Sequence, residues 1–271
     1  MSGVQAGVFS RRRGRLLKTG QTTQYSDKLD DGYYKKGLAK AYTVLSAGQY
    51  SGTVNIDLVH LTAIDIAFDA ATKKITSVAG ALAIFKTNDI IVVTGSASNN
   101  GVYTVAAGDV AAEIVTLEAL VNEAAGASVS IAKREAHSNN CVLDQNTGLM
   151  YSRYIANKMG AASGGKLPWY DATKLYNIFA YCVAANAASL GGYTDWRIPN
   201  DLELKCLCDM EVPNALPDAA AFPSWPTSDY IWSATTLPND VSYGIFMHFY
   251  YGYVYCSTKT TAYFTALLRG S

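Results

Sequence analysis

The stretch Gly191–Asn200, GGYTDWRIPN, decides how the C-terminal half of the chain is interpreted, because it separates two segments that are predicted to be helical. Gly191 and Gly192 provide a natural end to the first helix, since glycine adopts the left-handed backbone that terminates helices. Trp196 is expected to anchor a hydrophobic core, and Arg197 is expected to pair within the chain. The stretch therefore predicts a fixed turn between two helices.

The helix before this turn is predicted from apolar spacing between residues 170 and 190. The pattern places a set of side chains on one helical face: Ala172, Leu175, Tyr176, Phe179, Cys182 and Val183. The helix after the turn is predicted from its first residues, because Asn200 can cap it while Glu203 reaches back to the first turn.

Upstream of residue 133 the sequence changes to short β-type segments. Between Ser51 and Ala132, stretches such as NDIIVVTG, GVYTVA and ASVSIA recur at roughly ten-residue spacing with turn residues between them, which predicts an antiparallel sandwich or barrel. Asn99, Asn100 and Gly101 tolerate positive φ, so a tight hairpin is predicted there.

Composition excludes some classes of function. The 271 residues are 49% hydrophobic and carry no net charge, so large cores are expected and there is no electrostatic case for nucleic acid or an anionic membrane. No apolar run is long enough to span a membrane, and no export signal is visible, so we expect no membrane insertion. The five cysteines show no disulfide framework and are expected to be thiols.

Motifs of catalysis are missing from the sequence. We find no nucleotide-binding loop, nucleophile elbow or zinc-protease motif, and the three histidines at positions 60, 137 and 248 are dispersed. The pair Cys206 and Cys208 has no partner pair at zinc-ligand spacing. We therefore expect a protein that is not an enzyme and that needs no metal or cofactor.

A set of motifs in the C-terminal half carries a family resemblance. VLDQNTGLMY (Val142–Tyr151), GGYTDWRIPN, YIWSAT (Tyr230–Thr235) and the closing LLRG occur in one order. Together they resemble the C-type-lectin-like domain shared by variable proteins of diversity-generating retroelements and the formylglycine-generating-enzyme-like group. The resemblance implies an α+β fold, with a lead-in over 1–50 that is part of the lectin-like domain and the C-type-lectin-like domain itself over 134–271. The all-β sandwich over 51–133 is then an insertion, and it resembles the immunoglobulin-like modules of phage virion proteins.

The resemblance also implies a variable region over about residues 236–261. Its framework positions are Phe249, Gly252, Val254 and Lys259, and the positions between them are predicted to bind ligand without calcium. These predicted variable positions are Asn239, Asp240, Ser242, Tyr243, Phe246, His248, Tyr250, Tyr251, Tyr253, Tyr255, Cys256, Ser257 and Thr258. In such proteins adenines of AAY codons are replaced, and all of these residue types can be reached from that codon.

The tyrosines of this region are expected to be exposed, because Tyr250 and Tyr251 are adjacent and cannot both face inward on a regular strand. Tyrosine and small polar residues also dominate antibody binding sites. We therefore expect a receptor-binding protein of a virion, on a tail or surface appendage, with a host cell-surface protein or other surface ligand as its partner. Other virion proteins are possible partners of the β-module or the N-terminus.

Three alternatives remain open at this point. The protein could be located at a cell surface instead of on a virion. The tyrosine-rich face could be a fixed interface of a structural virion protein or adhesin. A formylglycine-generating type of enzyme shares the fold, although no matching cysteine site is found.

Overall fold

The computed structural model describes residues 40–156, 159–160, 164–209, 218–226 and 228–270. Of the predicted lead-in over 1–50, residues 1–39 lie outside the described part of the chain. The described part is rich in β-structure with some helix, and it contains sixteen strands and two α-helices. The strands are β1 (Tyr42–Leu45), β2 (Thr53–Ala63), β3 (Ile66–Asp69), β4 (Lys74–Ser77), β5 (Ile90–Thr94), β6 (Gly101–Ala107), β7 (Glu113–Thr116), β8 (Val129–Ser138), β9 (Cys141–Asp144), β10 (Met150–Ser152), β11 (Leu167–Pro168), β12 (Tyr230–Thr236), β13 (Tyr243–His248), β14 (Tyr253–Thr258), β15 (Ala262–Thr265) and β16 (Leu268–Arg269). The helices are α1 (Ile178–Ala187) and α2 (Asp201–Leu207).

The first module is a seven-stranded antiparallel sheet in the order β2-β8-β5-β6-β7-β4-β3. Its strands alternate buried and less buried residues, so every second side chain enters one hydrophobic core. Ile75, Ile91, Ile114 and Ile131 are fully buried in that core. The predicted antiparallel strands are confirmed, while the immunoglobulin-like assignment stays a prediction.

The loop between β5 and β6 differs in detail from the predicted tight turn. The hairpin forms, but the positive φ is at Gly95 and not at the asparagines or Gly101. Asn99 is buried instead, and its side-chain amide donates to the carbonyl of Val121 and to the carboxylate of Glu123. The loop is therefore held by side-chain hydrogen bonds and not by turn geometry alone.

The second module contains a four-stranded and a five-stranded sheet. The four-stranded sheet has the order β1-β9-β10-β16, so strands from before and after the seven-stranded module pair directly. In the five-stranded sheet, β11-β15-β12-β13-β14, the neighbouring strands β12 and β13 carry buried residues on both faces. Trp232 packs on the side of α1, and Ile231 packs on the side of α2.

The first helix is shorter than predicted and buries a different face. It begins after Asn177, whose side chain accepts from the N–H groups of Phe179 and Ala180. Ala172 and Leu175 therefore lie outside the helix, and Leu175 is 51% exposed. Within the helix Val183 is 68% exposed, so the predicted face is wrong at these positions.

The residues that form the inner face of α1 are Ile178, Tyr181, Cys182 and Ala185. The predicted helix included apolar residues that lie before the cap at Asn177 and are therefore outside the observed helix. Including them shifted the helical face that was predicted to be buried.

The turn between the helices forms, but its glycines do not end the first helix as predicted. The helix α1 ends at Ala187, and the left-handed backbone begins at Ser189, which has φ 55°. Trp196 is buried, Gly191 has φ 61°, and Arg197 pairs with both carboxylate oxygens of Glu203 at 2.7 and 2.6 Å. At the start of α2, Asn200 accepts from the N–H of Glu203 while Glu203 accepts from the N–H of Asn200, each at 2.8 Å. The reciprocal capping is confirmed, and it satisfies two backbone donors that the helix itself leaves free.

A buried histidine connects the two modules. His60 on β2 places one ring nitrogen 2.7 Å from the carbonyl oxygen of Leu58 and the other 2.8 Å from that of Met159. Its ring stacks on Tyr176 with centroids 4.5 Å apart. Burial lowers the pKa of His60 to about 4, although the two carbonyl oxygens act in the opposite direction.

Replacing Asn200 with Ala is expected to lower the free energy of unfolding by about 1 kcal/mol, because the N–H of Glu203 loses its acceptor. Urea denaturation measures the loss. Asn200→Ser keeps an acceptor at the cap and is the control, so equal losses in both variants would contradict the role of the cap.

His60 is expected to make stability depend on pH between about 6.5, its usual pKa, and 4. In that range the unfolded chain binds a proton that the folded chain does not, so stability falls as the pH falls. The full effect is about 3 kcal/mol. Urea denaturation from pH 7 to pH 4 should show a flatter pH dependence for His60→Gln, and an unchanged slope would refute the assignment.

Candidate binding site: an aromatic surface on the C-terminal hairpin

The turn between β13 and β14 presents two adjacent tyrosines. The turn spans residues 249–252, and Gly252 closes it with φ 67° and an N–H that donates to the carbonyl of His248 at 2.9 Å. A positive φ of this size favours glycine over residues with a Cβ. Tyr250 and Tyr251 therefore lie on the turn and not on a strand, where they are 39% and 63% exposed.

The register of the hairpin divides the predicted positions between two faces of the sheet. His248 is opposite Tyr253 and Phe246 is opposite Tyr255, so these four side chains share one face. On the other face, the paired residues are Tyr243 with Thr258, Ile245 with Cys256 and Met247 with Val254. The predicted site residues of the two strands are therefore not all brought together.

The face that carries His248 forms a continuous cluster of rings, which we call the aromatic surface. Its members are Tyr230, Phe246, His248, Tyr250, Tyr251, Tyr253, Tyr255 and Tyr263. The His248 ring lies in the middle, with centroid distances of 4.7 Å to Tyr230, 4.9 Å to Tyr251 and 5.4 Å to Tyr253. Tyr251 and Tyr253 stack nearly parallel, 5.7 Å apart. Each ring is thus positioned by its neighbours.

Two of the predicted site residues form the floor of this surface. Phe246 and His248 are each 5% exposed, whereas Tyr253 and Tyr255 are 41% and 66% exposed. The Nδ1 atom of His248 is buried and has no hydrogen-bond partner in the described part of the chain. Phe246 and His248 therefore support the exposed tyrosines, and a ligand would meet the tyrosines first.

Sequence reasoning missed Tyr230 and Tyr263. Tyr230 is opposite His248 on the neighbouring strand, and its ring lies 4.8 Å from that of Tyr263. Burial, followed by the nearby Tyr253 and Tyr263, raises the pKa of Tyr230. The signal for Tyr230 was its spacing of two from the buried Trp232 in YIWSAT, which puts both on one face.

The remaining predicted positions lie at the opposite end of the hairpin. Asn239, Asp240 and Ser242 are exposed in the turn that precedes β13. Asp240 accepts from the hydroxyl and the N–H of Ser242 at 2.6 and 2.9 Å, and these hydrogen bonds lower its pKa. Tyr243 and Ser257 lie beside this end. One strand of six residues, roughly 17 Å, separates it from the turn that carries Tyr251.

A lysine fixes this far end to the rest of the module. The Nζ atom of Lys259 lies 3.8 Å from the ring centroid of Trp169 and donates to the hydroxyl of Thr236 at 3.0 Å. Its backbone carbonyl also accepts from the N–H of Tyr170. The predicted framework role of Lys259 thus has a physical counterpart in these contacts.

The chemistry of the aromatic surface is that of contact and hydrogen bonding. From Tyr230 to Thr258 the only acidic or basic residue other than His248 is Asp240, at the far end. In the described residues no cluster of three or more His, Cys, Asp or Glu side chains could hold a metal ion. No helix among them is both long and apolar enough to cross a membrane. The exposed groups are phenol rings and their hydroxyls.

Comparison with known proteins identifies the segment that carries this surface. Residues 140–269 match the family model described as the Lcl C-terminal domain. No curated protein and no solved structure matches the chain. The matched residues include β9 to β16, both helices and the whole aromatic surface. The part of the chain that forms the candidate binding site is therefore similar to the Lcl C-terminal domain.

Proposed function

We propose that this chain is a receptor-binding protein of a phage or other virus, which binds its ligand through the aromatic surface and has no enzymatic activity. The observation that carries the proposal is the exposure of Tyr251 and Tyr255, at 63% and 66%, on a hairpin that is held from beneath by packed rings. Contiguous exposed aromatic surface on a folded protein is typical of a site of interaction.

Tyrosine suits this task for a physical reason. Its ring contributes a large contact area, it has few rotatable bonds, and its hydroxyl can donate or accept a hydrogen bond. Here the rings also contact one another, as Tyr251 does with Tyr250, Tyr253 and His248. Less side-chain entropy is lost on binding when the free surface is already ordered, so affinity per contact rises.

We further propose a C-type-lectin-like scaffold with a site diversified by a retroelement. Burial separates the framework positions from most of the variable ones. Phe249 is fully buried and Val254 packs partly against the same core, whereas their neighbours Tyr250, Tyr253 and Tyr255 are exposed. Substitution at these exposed positions would change the surface and leave the core intact, which is what diversification requires.

The buried cysteines support a role other than catalysis by a thiol. Burial raises the pKa of Cys141 and Cys208 to about 12 and that of Cys182 to about 11. The thiolate is the reactive form of cysteine, and a raised pKa makes it scarce at neutral pH. This disfavours the formylglycine-generating type of activity.

The partner we propose is a protein or other ligand on a host cell surface, with the chain located on the virion. The lack of basic residues on the aromatic surface disfavours nucleic acid and other polyanions. The seven-stranded module is at the other end of the sequence from the hairpin, and we propose that it contacts further virion proteins.

Replacing Tyr251 and Tyr255 together with Ala is expected to weaken binding of the labelled protein to a bacterial strain that binds the wild type. The loss should be roughly a hundredfold or more, because central tyrosines carry much of the energy of an interface. Tyr170→Ala is the control, since Tyr170 is 52% exposed and lies outside the aromatic surface. Equal losses in both variants would contradict the site.

Sequencing of the coding locus in sibling genomes tests diversification separately. We expect a near-identical template repeat, a reverse transcriptase gene, and substitutions at Tyr250, Tyr251, Tyr253 and Tyr255 where the template has adenine. If the hairpin sequence is invariant and no template repeat exists, diversification by a retroelement is refuted. The aromatic surface would then be a binding site for a single ligand.

A fixed subunit interface would also expose an uncharged aromatic surface in a single chain. Sedimentation of the wild type over a range of concentrations separates the two functions. A stable oligomer that Tyr251→Ala dissociates would favour the fixed interface.

A further inference from the structure

The hairpin has a second feature beside its rings, which is an open strand edge. β14 is the outermost strand of the five-stranded sheet and pairs only with β13 among the described strands. The pairing runs without a shift over all six residues, so β14 is regular along its whole length. No strand in the described part of the chain pairs with its other side.

The hydrogen-bond pattern shows which backbone groups face outward. At the two ends of the hairpin, the N–H of Lys259 donates to the carbonyl of Ser242 and the N–H of Gly252 donates to that of His248. Bonding alternates along an antiparallel pair, so Tyr253, Tyr255 and Ser257 bond to β13. The N–H and C=O groups of Val254 and Cys256 then point away from β13, and they have no partner in the part of the chain that is described.

This edge lacks the features that normally protect one. Natural sheets block their edges with lysine, proline, bulges or very short strands, because an open edge pairs with other chains. The opposite edge of the same sheet is blocked in this way, since β11 is two residues long and contains Pro168. By contrast, residues 253–258 contain no charge, no proline and no bulge.

We infer that β14 binds an extended segment of a partner protein as an added strand. Outward N–H donors and C=O acceptors that alternate along a strand match the backbone of another strand, and a glycan or a polyanion offers no such repeat. The side chains of Tyr253 and Tyr255 flank the edge, so alternate residues of the segment would pack on the aromatic surface. Because the edge carries no charge, the segment is an uncharged one with β-branched or aromatic residues.

This inference rests on the proposed function and narrows it to a protein ligand. The probe is a displayed library of random decapeptides selected on the immobilised wild-type protein. We expect the enriched peptides to be rich in β-branched and aromatic residues. Cys256→Lys places a charge at the middle of the edge and should weaken their binding at least tenfold, whereas Thr260→Lys adds the same charge in the turn beyond β14 and should not.

Cys256→Pro is a second variant, because it removes an outward N–H at an edge position where proline is tolerated. It should also weaken binding about tenfold or more, with its melting curve reporting whether it folds. A third measurement needs neither variant: hydrogen exchange of the backbone amides of the wild-type protein, with and without bound peptide. The amides of Val254 and Cys256 should become protected in the complex.

Three results would overturn the inference. In the first, peptide binding depends on Tyr251 and Tyr255 but the amides of Val254 and Cys256 stay unprotected. The aromatic surface would then be the binding site, without an added strand. In the second, the library yields no binding peptide and a glycan binds at the tyrosines instead. The ligand would then not be a protein segment, while the proposed receptor-binding function would stand. A wild-type dimer that Cys256→Lys dissociates would show that a second copy occupies the edge.

Discussion

The second module depends on burial of one sheet from both sides. Alternation along β12 and β13 sends Trp232 and Phe246 into one core, and Ile231 and Met247 into the other. Burying large side chains of this kind is worth about 2 to 3 kcal/mol each, so the two cores together fix the register of the strands. Among the described residues, these cores leave uncovered the region of the sheet that carries Tyr251 and Tyr255, which are 63% and 66% exposed. The position of the aromatic surface therefore follows from the packing of the rest.

Polar groups within the modules add specificity to this packing. The Nζ atom of Lys133 lies 2.7 Å from the carboxylate of Asp89, and His60 contacts the carbonyl of Met159 from the second module. Buried groups of this kind stabilise little, because desolvation offsets much of their attraction. They do penalise any arrangement in which the groups lose their partners, so they favour one relative placement of the strands that carry them.

The sequence allowed much of the fold to be predicted. Antiparallel strands before residue 133, the capped start of α2, and the buried Trp196 and Trp232 all depend on local pattern or on residue type. The extent of α1 could not be predicted, because one side-chain cap at Asn177 excluded residues that matched the helical period. The conformation of the hairpin loop after β5 could not be predicted from local sequence either. Asn99 in that loop is held by a carboxylate that lies more than twenty residues away in sequence.

The candidate site was predictable in composition but not in geometry. Tyrosine-rich, uncharged sequence indicated a binding surface, and alternation along one strand already separates Tyr255 from Cys256. Only strand register shows that Tyr230 and Tyr253 lie opposite His248 and that Tyr255 lies opposite Phe246. Register is a property of pairs of strands, and neither strand reveals it alone. The turn over residues 249–252 was not predicted, although glycine at position 252 is the residue type that its positive φ favours.

The ring contacts around His248 bear on how such a surface can evolve. Since Tyr251 touches His248, Tyr250 and Tyr253, a substitution there changes the conformations open to three neighbours as well as its own contact. The effects of substitutions on binding will then be strongly non-additive within the cluster. Beneficial changes should appear in correlated pairs, and the number of distinct surfaces the hairpin can present is smaller than the number of its possible sequences.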